Sequence, residues 1–158
     1  MIRHTLLALL LATPALAQDA SPQGQLVEGY LACLLGAGDV PATMQALAAQ
    51  GWVEGDGEDG LIFMSPGVGD TVFAYMADDG GFCHVESTSI DSATASELLA
   101  ATLEGAGITG IEYNKSEDGC TELGFGEGAT ATITSGGNDP QCGSDSNSGV
   151  RFVPAALG

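Results

Sequence analysis

Cys83 and His84 stand side by side in the stretch GFCHVESTSI, and Glu86 follows two residues on. A thiol, an imidazole and a carboxylate can form a nucleophile with its base, a metal site or a proton relay. The stretch from Phe82 to Ser87 predicts a β-strand, in which successive side chains point to opposite faces. Cys83 then shares a face with Val85, and His84 shares the other with Phe82 and Glu86. Cys83 and His84 therefore cannot meet at one metal ion or pair as nucleophile and base. His84 and Glu86 remain as catalytic candidates, with Asp91 as a further carboxylate to assist. No G-x-S-x-G or H-E-x-x-H pattern supports them.

The four cysteines are Cys33, Cys83, Cys120 and Cys142. They contain no C-x-x-C pair, which removes the zinc-knuckle and thioredoxin-type readings. An even count behind an export signal predicts two disulfides. Three pairings are open, and the expected one is Cys33–Cys83 with Cys120–Cys142. The second bridge closes a loop of about 20 residues, worth about 3 kcal/mol on the chain-entropy estimate. A bridged Cys83 has no thiolate for nucleophilic chemistry.

Carboxylates cluster at EGDGEDG (Glu54 to Gly60) and at Asp78-Asp79. Asp56, Glu58, Asp59, Asp78 and Asp79 are candidates for loose divalent-cation binding. An EF-hand loop is not present, because glycines and a proline fall where oxygen ligands are needed. Gly124 to Ala129 (GFGEGA) has the loose form of a dinucleotide loop, but the run after it reads as a strand and not as a phosphate-binding helix. No cofactor is expected.

The chain opens MIRHTLLALLLATPALAQDA. A basic start, an apolar run from Leu6 to Ala12 and the small-x-small Ala15-Leu16-Ala17 predict a signal peptide over residues 1–17. Residues 18–158 are expected to form one exported domain, periplasmic or extracellular, with no membrane insertion after processing. Cleavage leaves Lys115 and Arg151 as the only Lys or Arg side chains against 21 acidic residues, and the formal charge of the full chain is −18. That field repels phosphate backbones, so nucleic acid is excluded as a partner. It favours a cationic protein, peptide or small ligand.

Periodicity supplies the elements that position these groups. Gln25 to Leu35 predicts an amphipathic helix with Val27, Tyr30, Leu31, Leu34 and Leu35 inward. A second helix is expected from Pro41 to Ala49, with Met44, Leu47 and Ala48 inward. Strands are expected at Leu61–Met64, Thr71–Ala77 and Phe82–Ser87, with Asp78 to Gly81 as a hairpin turn. IDSATASELLAATLEGAG predicts a helix capped by Asp91, Ser92 or Thr94, the last fitting a capping box with Glu97. Its buried stripe is Ala95, Leu98, Leu99, Thr102, Leu103 and Ala106. Strands at Ile108–Tyr113, Cys120–Phe125, Ala129–Thr134 and Gly149–Val153 complete the chain, with a long loop at 135–148. The order predicts an α+β fold: an antiparallel sheet with two N-terminal helices and one central helix on one face, stapled by disulfides.

The functional expectation is a small, acidic, exported, non-enzymatic binding domain for a cationic protein, peptide or ligand. The alternatives are a hydrolase using His84 and a weak divalent-cation binder.

Overall fold

The computed structural model describes residues 21–58, 60–67, 69–137 and 141–155. The expected leader at 1–17 and the candidate Asp59 lie outside them.

The fold is α+β. Helices α1 (Pro22–Gly36) and α2 (Val40–Ala49) come first, then strands β1 (Val53–Glu54), β2 (Leu61–Ser65), β3 (Val72–Ala77) and β4 (Cys83–Ser87). Helix α3 (Ser92–Gly105) precedes β5 (Glu112–Lys115), β6 (Thr121–Phe125), β7 (Ala129–Thr134) and β8 (Ser148–Val153). The strands make one eight-stranded antiparallel sheet in the order β1-β2-β3-β4-β8-β7-β6-β5. The last strand thus lies at the centre and joins two consecutive antiparallel runs.

Local sequence starts each helix. Ser21 caps α1 by accepting the Gly24 N–H, with Pro22 in the first turn. Asp39 caps α2 through the Ala42 N–H. Asp91 caps α3, accepting the N–H of Thr94 at 2.8 Å and its hydroxyl at 2.8 Å. Thr94 is therefore a donor to the cap and not itself the cap, so the capping box with Glu97 does not form.

Helices α1 and α3 pack on one sheet face. Leu26, Tyr30, Leu99 and Leu103 meet Val72, Ala74, Val85, Val150 and Ala131 in one core cluster. Each large aliphatic side chain buried there contributes about 1.5–3 kcal/mol. At Gly29 an added Cβ would stand 2.7 Å from Val85 Cγ1, so α1 rests directly on β4 at this residue.

That close approach rotates α1 away from the stripe its apolar residues suggest. The buried face is Leu26, Gly29, Tyr30 and Cys33, while Leu35 is 76% exposed. Val27 and Leu31 instead flank the seam with α3. Ala48 and Ala106 are also exposed, because an alanine gains little by burial and the contacts of Leu47 and Leu103 set the helix roll.

The expected strand at Ile108–Tyr113 forms at Glu112–Lys115 instead. Pairing with β6 across the Ser116–Gly119 turn sets its register, starting from Lys115 opposite Thr121. Ile108 and Ile111 are half-buried and pack against the core as loop residues. The two-residue β1 had no signal in the sequence.

Both disulfides have the expected pairing, Cys33–Cys83 and Cys120–Cys142. The first joins α1 to β4, and the second ties the loop before β8 to the start of β6. Ser92 secures the same loop, since its hydroxyl accepts the Ser144 N–H at 3.0 Å and lies 3.1 Å from the Thr134 carbonyl. Among the described residues, no helix is long and apolar enough to cross a membrane.

Candidate functional site

Alternation sends Cys83 and Val85 of β4 toward the helices and His84 and Glu86 to the opposite face. Register then builds a row across that face. Phe63 stands opposite Tyr75, Tyr75 opposite His84, and His84 opposite Arg151. The row continues from Arg151 to Thr132, Glu122 and Asn114. One end is aromatic and the other polar. Phe63, Phe73 and Tyr75 form a ring cluster with centroids 5.3–5.8 Å apart, and the His84 ring lies 6.1 Å from that of Tyr75.

A cavity of about 390 Å³ opens over the aromatic half. Its floor carries Phe63, Tyr75, Phe82, His84, Glu86 and Arg151. Asp56 and Glu58 form one wall, in the segment between β1 and β2, and Gly137 contributes to the other. The first wall is held where Gly55 donates its N–H to the Phe63 carbonyl at 3.1 Å.

Glu86 is buried, with its Oε2 3.5 Å from His84 Nε2 and accepting the Gly137 N–H at 2.9 Å. The carboxylate is thus fixed by backbone and stands beside the imidazole. Among the described residues this is the one contact within 4 Å between a basic side chain and a carboxylate. Arg151 lies with its guanidinium 4.2 Å from the centroid of the Phe82 ring. This is a cation–π contact, and Arg151 makes no ion pair among the described residues. The Tyr75 phenol is pushed up from its ordinary range by burial first, and then by the charges of Glu86 and Glu58. Three groups of different chemistry therefore face one space: carboxylates, aromatic rings and a guanidinium.

The structure divides the sequence candidates. His84 and Glu86 share the cavity with Asp56 and Glu58. Asp91 does not line it, because its carboxylate is committed to the start of α3. Asp78 and Asp79 border a separate depression beside the first turn of α2, and Asp79 accepts the Gly81 N–H within its own turn. Of the carboxylates expected to bind a cation, the four described ones, Asp56, Glu58, Asp78 and Asp79, thus do not converge. Among the described residues, no group of three or more His, Cys, Asp or Glu side chains is placed to hold a metal ion. Gly124 to Ala129 spans the β6–β7 hairpin, not a strand–helix phosphate loop. Trp52 is buried and donates its Nε1–H to Glu28 at 3.0 Å, so it belongs to the core.

Sequence reasoning missed Phe63, Tyr75, Phe82 and Arg151 as members of one site. Each occupies an expected strand, but only strand order and register show that they are neighbours. No family model, characterised protein or solved structure matches this chain.

Proposed function

We propose that this protein is a binding domain whose ligand presents a cationic group to the cavity on the open sheet face. The observation that carries this reading is the lining itself: aromatic rings from Phe63 and Tyr75 beside the carboxylates of Asp56, Glu58 and Glu86. Aromatic faces attract cations through the ring quadrupole, and the attraction strengthens where water is excluded. Neighbouring carboxylates add Coulombic attraction. A formal charge of −18 steers cations toward the surface from a distance. The expected leader and the two disulfides support action in an oxidising compartment outside the cytoplasm.

Titration of the purified protein with cadaverine and with a lysine-rich peptide, followed by NMR, tests the reading. Shifts should concentrate at Phe63, Tyr75 and His84. Glu58→Gln should weaken binding several-fold, while Glu117→Gln, which removes the same charge from an exposed turn, should leave it nearly unchanged. Equal losses from both would mean that the overall field alone does the binding, and the cavity would then have no part in it.

One observation favours a second reading. The Glu86 carboxylate lies 3.5 Å from His84 Nε2 at the cavity floor, a carboxylate beside a candidate general base. Among the described residues lining the cavity there is no Ser, Thr or Cys, so such a hydrolase would activate water directly. Ester, amide and phosphoester substrates assayed against the native protein and His84→Ala decide this, and activity unchanged by the substitution would end it.

A further inference from the structure

The cavity is lined by more than a cation site needs, because it also contains Arg151. This chain has 21 acidic residues, and three of them line the same cavity as Arg151. Arg151 nevertheless pairs with none of them among the described residues, and it stacks on Phe82 instead. Stacking uses the face of a guanidinium and leaves the N–H groups at its edge free. Those donors match a planar carboxylate in a bidentate geometry. Asp56 and Glu58 likewise have no cationic partner among the described residues.

We infer, resting on the cation-binding reading, that the ligand is a small zwitterion: an amino acid or betaine-type compound carrying a carboxylate as well as its cationic group. The cationic end lies against Phe63, Tyr75 and Glu58, and the carboxylate reaches the edge of Arg151. The overall field makes this a sharp distinction. Long-range electrostatics of so acidic a protein favour a pure cation over a zwitterion. Only a local positive group can reverse that order, and among the described residues Arg151 is the one Lys or Arg side chain lining the cavity.

The test compares compounds that differ by the carboxylate. L-lysine is set against cadaverine, and glycine betaine against tetramethylammonium, by calorimetry and NMR on the purified protein. At least one carboxylate-bearing compound should bind about tenfold or more tighter than its counterpart. Arg151→Gln should abolish that preference, while cadaverine binding stays equal or improves. Arg151→Lys keeps the charge without the planar fork and should leave an intermediate preference. Native-like spectra of both variants exclude misfolding as the cause. Equal or tighter binding of both carboxylate-free compounds overturns the zwitterion inference and leaves the cation reading standing. Absence of binding by all four compounds overturns the zwitterion inference, and absence of binding by the lysine-rich peptide as well overturns the cation reading.

Discussion

The backbone at Gly149 passes so close to His84 that an added Cβ would stand 2.7 Å from the imidazole Nε2. The same Cβ would lie 2.8 Å from the Gly136 Cα. Gly149 is thus the space in β8 that lets His84 and the 136–137 segment lie flat over the sheet. Gly149→Ala should displace the imidazole and lower stability by about 1–3 kcal/mol, as overpacking of tight sites does. Chemical denaturation with NMR of the His84 ring checks this, and an unchanged ring environment at native stability would contradict it.

The two disulfides should differ in accessibility and in worth. Cys142 is exposed, whereas Cys33 and Cys83 are both buried. Limited reductant should therefore open Cys120–Cys142 first, read by alkylation and mass spectrometry. Replacing that pair with serines removes a 22-residue closure, worth about 3 kcal/mol. Replacing Cys33 and Cys83 removes a 50-residue closure, worth about 4 kcal/mol, and also leaves polar groups in the core. A larger loss from the Cys120–Cys142 pair would reverse this ranking.

Asp91 ties the start of α3 to acid stability. Hydrogen bonds from Thr94, first its backbone N–H and then its hydroxyl, hold the carboxyl below the ordinary aspartate range. A lowered folded-state value means stability that is present above the unfolded-state value and lost as pH falls through the folded one. Asp91→Ala should lower the melting temperature at neutral pH, and the gap to the native protein should narrow below about pH 4. A gap that stays constant from pH 7 down to pH 2 would show that the cap does not act through its charge.

Tyr30 offers a substitution without loss. Its hydroxyl is fully buried and has no hydrogen-bond partner among the described residues, and burial drives the phenol far above its ordinary range. The ring packs against Phe152 with centroids 5.8 Å apart, a contact that Tyr30→Phe retains. Stability should stay level or rise by about 1 kcal/mol, since an unpaired buried hydroxyl is a penalty. A loss above about 1 kcal/mol would reveal a partner for the hydroxyl.

Much of the architecture was legible because its signals are short-range. Asp39 and Asp91 stand where helices begin, and Asp78 to Gly81 turns one strand into the next. The alternation around Cys83 and His84 separates their faces with no knowledge of the rest of the fold. The roll of α1 was not legible, because it depends on Gly29 meeting Val85, and a contact between distant elements leaves no periodic trace. The strand shift to Glu112–Lys115 has the same origin: its partner β6 chose the register.

Sequence by itself determined the α+β class, the acidic charge and the common face of His84 and Glu86, since composition and side-chain alternation are properties of local chain, whereas it left three disulfide pairings open and the fold decided between them. Tertiary structure alone decided that β8 enters the middle of the sheet. That placement sets Arg151 opposite His84 and, with β2 and β3 alongside, gathers rings, carboxylates and a guanidinium into one cavity. Strand order depends on which edges bury the most apolar surface once helices and sheet meet, and this is a property of the whole chain that no single stretch encodes.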